Sequence, residues 1–168
     1  MATIYFVTEK YIKDKTPITN NVSAKEIIPF IEVSAQTWMQ SILGTYFFND
    51  LLTKYNAQTL NALETVLVTK MQPAIAWRAT ADCVIELTYQ LKNKGIQKQN
   101  GDNSESVELD ETQFVSTHYA NKAEFFEEFV RLYLDKNKDS FPVFTSDDNK
   151  DSELKAQDDN NFQDILFV

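Results

Sequence analysis

The chain has 168 residues, a formal net charge of −9, 43% hydrophobic and 12% aromatic residues, and only three glycines. That much apolar material in one domain's length excludes a disordered polymer, and the scarcity of glycine weighs against an all-β sandwich with its many tight turns. The acidity opposes tight binding of nucleic acid and of anionic membrane surfaces, which repel it at long range.

Ile4 to Val7 is a short β-prone run, and the polar stretch that follows contains Pro17, so residues 1–22 read as an extended arm for partner contacts, with Ile4 and Phe6 on it. The opening lacks the basic start and apolar run of a secretory signal, and no apolar run approaches the ~18 residues of a membrane span, so a soluble, unexported chain with no membrane partner is expected. A first helix opens at Ser23, with Glu26 three residues on completing a capping box. Ile28, Ile31, Ala35, Trp38 and Ile42 alternate three and four apart and predict its buried stripe, while Glu32, Gln36 and Gln40 fall away from it. Pro29 predicts a kink or a later start, and Gly44 a left-handed C-cap. A shorter second helix follows, capped by Thr45, with Phe47, Phe48, Leu51, Leu52 and Tyr55 apolar and its closing turn at residues 56–59.

A third helix begins after Thr59 with Leu60, Leu63, Leu67 and Met71 on one face, and Pro73 is expected to divide it. Its second half, residues 74–94, is apolar almost all round, which predicts a central place in the bundle or cover by a neighbouring subunit. Only Arg78, Asp82 and Glu86 form a polar stripe there, at i, i+4 spacing; an ordinary solvated face and a contact with an adjacent subunit are both open readings of it. Residues 96–108 read as a mobile loop. A fourth helix starts at Asp110 or at Asn121, with Phe114, Val115, Tyr119, Phe126, Phe129, Val130 and Tyr133 inward and Glu124, Glu127 and Glu128 on its wet side. Beyond Val143 the chain turns acidic until Phe162, Ile165, Leu166, Phe167 and Val168 restore hydrophobicity. This reads as a flexible tether ending in an apolar plug, which either folds back on its own domain or attaches to another molecule. The predicted fold is all-α: a small bundle of about four helices over residues 23–144, between the arm and a tail at 145–168.

Residues suited to chemistry are few. Di-iron bundles need Glu-x-x-His on two helices, whereas this chain has a single histidine, His118, with Val115 three residues before it. Catalytic thiol chemistry needs an exposed cysteine beside a histidine; Cys83, the one cysteine, lies in the most apolar helix and reads as packing, in a chain built for a reducing compartment. Glycines at 44, 95 and 101 cannot form a phosphate-cradling loop. No catalytic residue, cofactor or metal is expected, and Trp38 and Trp77 read as core.

The ordered set EIIPFI, Ala35-Gln36, Ile42 to Gly44, PAIAW (residues 73–77), LKNKG, EFFEEFVRLYL and a final FP resembles head-to-tail connector proteins of tailed bacteriophages. It is most similar to the ring proteins of crAss-like phages that infect gut Bacteroidales, over residues 18–144. The resemblance implies a helical virion protein, made in the host cytoplasm and assembled with itself as a ring, usually of twelve copies. The ring lies beneath the portal protein and touches further tail or ring proteins, and double-stranded DNA passes through it as a weakly contacted cargo. It implies no catalytic residues. In that setting Ile4, Phe6, Arg78, Asp82, Glu86, Phe162, Ile165, Leu166 and Phe167 are the expected subunit or partner contacts. A small phage-encoded binding module acting on a host protein is the other reading.

Overall fold

A computed structural model describes residues 4–92, 95–98 and 109–150. The fold is all-α, as predicted. In chain order the helices are α1 (Glu9–Lys15), α2 (Ala24–Ser34), a π-helical turn (Ala35–Met39), α3 (Gln40–Leu43), α4 (Thr45–Ala57) and α5 (Ala62–Thr88). A short antiparallel hairpin, β1 (Tyr89–Lys92) and β2 (Gly95–Lys98), pairs Tyr89 with Lys98 and Lys92 with Gly95. Then come α6 (Leu109–Asn137), a 3-10 turn (Lys138–Ser140), α7 (Pro142–Thr145) and α8 (Asp147–Lys150). The two long helices run antiparallel. Tyr133 donates to the Leu63 carbonyl at one end (3.4 Å) and Ser116 to the Ala81 carbonyl at the other (3.0 Å). Small buried residues, Ala76 and Ala79 on α5 and Ala123 on α6, leave room for a close approach of the two.

The N-terminal stretch is not the extended arm expected. Thr8 caps α1 by accepting the Tyr11 amide, and Phe6, Val7 and Ile12 are buried in the main core. Phe6 meets the Phe48 ring edge-on at 5.6 Å, and its carbonyl accepts from Gln72 Nε2 (2.9 Å). Its φ of +62° costs about 1–2 kcal/mol. Burying a phenylalanine contributes about as much or more, which is why the strained turn holds.

The Ser23–Glu26 capping box forms as predicted, with the Ser23 amide donating to Glu26 Oε2 at 3.0 Å. The buried stripe, however, is Ile27, Ile31, Ala35, Met39 and Ile42, while Ile28 and Trp38 are exposed. The π turn explains the later part of this shift. Gln40 bonds back to the Ala35 carbonyl five residues earlier, so the helix winds more slowly there and Met39 replaces Trp38 on the inner face. Pro29 lies within α2 and delays nothing, and Pro73 does not divide α5, which is one helix of 27 residues. Packing along the length of α5, together with a second capping box of Asn61 and Glu64 at its start, offsets the amide that Pro73 lacks.

Helix α5 is central, as its composition predicted, packing on α1, α2 and α6. It ends at Thr88 and not near residue 94, because the chain turns into the β1–β2 ladder. Residues 99–108 of the expected loop lie outside the described residues. Gly44 has positive φ as expected (+79°), but its ψ of 151° takes it out of the left-handed helical region of the predicted cap. The packed body runs past the expected boundary at 144, since Asn149 on α8 is buried.

Candidate functional site

The polar stripe of α5 does not act as one face. Arg78 is only 6% exposed; its guanidinium lies 3.9 Å from the Trp38 ring centre and donates to Glu127 Oε1 at 3.0 Å, with Glu124 at 3.8 Å. The subunit contact and the solvated face considered for Arg78 are therefore both corrected. The side chain ties α5 to α6 and to the π turn within one chain. Glu127, expected on the wet side of α6, is buried because it supplies the counter-charge. Asp82 is half-buried, and burial raises its carboxyl above the ordinary range against the opposing pull of Arg78. Glu86 is exposed.

Phe6, expected at an interface, is fully buried in the core. Ile4 is 43% exposed, with its amide on Asn56 Oδ1 (3.0 Å). Phe162, Ile165, Leu166 and Phe167 lie outside the described residues. Cys83 is buried, and burial first, then the charges of Asp82 and Glu26, push its thiol up to about 12, so it stays protonated at neutral pH and packs as a small apolar residue. His118 is exposed beside Tyr119. No group of three potential metal ligands occurs among the described residues, and no described helix is long and apolar enough to cross a membrane.

The face that stands out lies on α6, away from its packed side. Phe114 is 75% exposed, Phe125 61%, Leu132 55% and Phe129 44%. Positions 114, 118, 121, 125, 129 and 132 follow one another at steps of three and four, which aligns them along one side of the helix. The buried residues Ala123, Glu127, Val130 and Leu134 repeat with the same period on the opposite side. Phe114 and Phe129 were expected inside; Glu127 and Ala123 take that side because Arg78 and the close α5 approach demand them.

Phe125 meets Phe129 edge-on at 4.9 Å and Phe126 at 5.6 Å. Beside this cluster an open depression of about 410 Å³ is lined by Trp77, His118, Asn121, Lys122, Phe125 and Phe126. Lys122 Nζ sits 4.2 Å over the Trp77 ring and 5.5 Å over Tyr119, so one cation marks an otherwise aromatic surface. Covering a half-exposed phenylalanine yields about 1–1.5 kcal/mol, so several together suffice for a specific contact. The signal in the sequence was present: α6 carries more large apolar residues, spread over a wider arc, than packing against α5 can use.

No curated protein and no solved structure matches this chain. A model of one protein family does match it, over residues 39–153, which takes in α4, α5, α6 and the short C-terminal helices. With well over half its length covered, the chain belongs to that family, a family of unknown function designated DUF6712.

Proposed function

We propose that this protein is a structural component of a tailed-phage virion, forming a ring in the head-to-tail connector below the portal, joining capsid to tail and giving passage to double-stranded DNA. The observation that carries the reading is the aromatic face of α6, a contiguous row of large apolar side chains of the kind that marks a contact surface. The ordered motifs described above, which resemble connector ring proteins, support the choice of assembly. The net charge of −9 suits a channel wall past which DNA slides without being held.

A closed ring needs a heterologous interface, two different surfaces of each copy meeting about a rotation axis. The α6 face supplies one of them. Ile4, Asp82, Glu86 and the apolar residues Phe162, Ile165, Leu166 and Phe167 belong to the proposed contacts with neighbouring copies, portal or further ring proteins. The test is the mass of the purified chain with portal rings by light scattering. A stoichiometric ring complex is expected, and Phe125→Ser with Phe129→Ser should abolish it while leaving the helical circular dichroism unchanged. A wild-type chain that stays small beside portal rings and captures a host protein would replace this reading with that of a phage-encoded binding module.

A further inference from the structure

We propose that the apolar segment at residues 162–168 of one copy seats on the α6 aromatic face of the neighbouring copy, in the depression between Trp77 and Phe125. This rests on the ring reading above and names the contact that closes it. Three observations converge.

The first is chemical fit. Phe162, Ile165 and Leu166 stand at i, i+3 and i+4, the spacing by which a segment presents its anchors to an apolar groove. The receiving surface is largely aromatic and has Lys122 in its lining, over the Trp77 ring. Residues 156–168 contain three aspartates and no lysine or arginine, and Asp164 falls among the apolar anchors, where it meets that cation.

The second is reach. The described residues end at Lys150, next to Asn149, which is fixed to the start of α4. Residues 151–161 then span at most about 36–40 Å, close to the length of α6, about 43 Å. A stretch of that length lets the segment extend well beyond its own α8.

The third is symmetry. A contact between a tail segment and a helix face joins two different surfaces, so each copy gives one and receives one. That arrangement propagates around an axis, whereas pairing of two α6 faces would stop at a dimer.

The experiment uses the full chain with a photo-cross-linking benzoyl-phenylalanine at position 125, already 61% exposed. Isotopically heavy and light chains are mixed, assembled with portal rings, irradiated and mapped by mass spectrometry. Cross-links from position 125 of one copy to residues 162–168 of another are expected. Lys122→Glu should lower their yield about two- to fivefold, the range of an exposed ion pair, and Asp164→Lys in the same chain should restore it. Rings that form but cross-link elsewhere, or only within one copy, or whose charge reversal restores nothing, overturn the proposal and leave the connector reading intact. Failure to form rings at all overturns the connector reading itself.

Discussion

Removing the side chain of Asn149 should unlatch the C-terminal part of the packed body from the α3–α4 corner. Its Oδ1 accepts the Phe47 amide at 3.0 Å, and its Nδ2 donates to the carbonyls of Leu43 (2.9 Å) and Phe144 (3.0 Å). Phe47 is the third residue of α4, so its amide is one of those a helix start leaves without an internal acceptor. A residue 102 positions later therefore serves as the cap, in a buried site. Asn149→Ala removes three hydrogen bonds worth about 1 kcal/mol each and strands buried polar groups, for a loss of about 3 kcal/mol. For a body of this size that lowers Tm by about 6–12 °C. Gly44 makes the test sharper. A Cβ there would lie 2.5 Å from Asn149 Oδ1, and the φ of +79° strains any other residue. Gly44→Ala should thus cost backbone strain plus displacement of Asn149, and in the Asn149→Ala background only the strain. Urea unfolding of the four proteins measures the cycle. A single-mutant loss below about 1 kcal/mol, or strictly additive losses, would refute the reasoning.

The buried pair of Arg78 and Glu127 should respond asymmetrically: Arg78→Met leaves an uncompensated carboxylate and costs about 3–5 kcal/mol, whereas Arg78→Met with Glu127→Met recovers most of it, read by the same urea titration. Glu64 is 5% exposed, caps α5 through the Asn61 amide and pairs with Lys54 at 2.7 Å. Glu64→Ala should lower stability by about 2 kcal/mol in thermal melts, more than exposed carboxylates such as Glu128. Asp82 has its folded-state carboxyl raised chiefly by burial, so the unfolded chain gives up that proton first and stability falls as pH rises from the ordinary value of 3.8. Asp82→Asn should accordingly raise Tm at pH 7 and change little well below pH 3.8, where both states are protonated; a gain that persists at such low pH would contradict this sign.

What could be read from the residues alone was the chemistry that stays local. Ser23 and Glu26 lie one helical turn apart, and Gly44 stands where the chain turns sharply between two apolar helices, so a capping box and a positive φ follow without knowledge of the rest. The apolar breadth of the stretch after Pro73 likewise announced a central helix, because a side chain's cost of exposure does not depend on which neighbour relieves it. The tertiary structure decided everything that turned on a partner distant in sequence. Phase in α2 was undecidable while the π turn at residues 35–39 was unknown, since one slow turn exchanges Met39 for Trp38. Arg78 looked like a surface charge until Trp38 and Glu127 closed over it, and Phe6 looked like an arm residue until Phe48 and Tyr55 received it. Asn149 gave no sign of being a helix cap, because the amide it serves belongs to a helix 102 residues earlier. Burial is a property of the assembled chain, and α6 shows the consequence: with aromatic residues on two sides, only the fit of small residues against α5 determined which side the fold buried and which it left exposed.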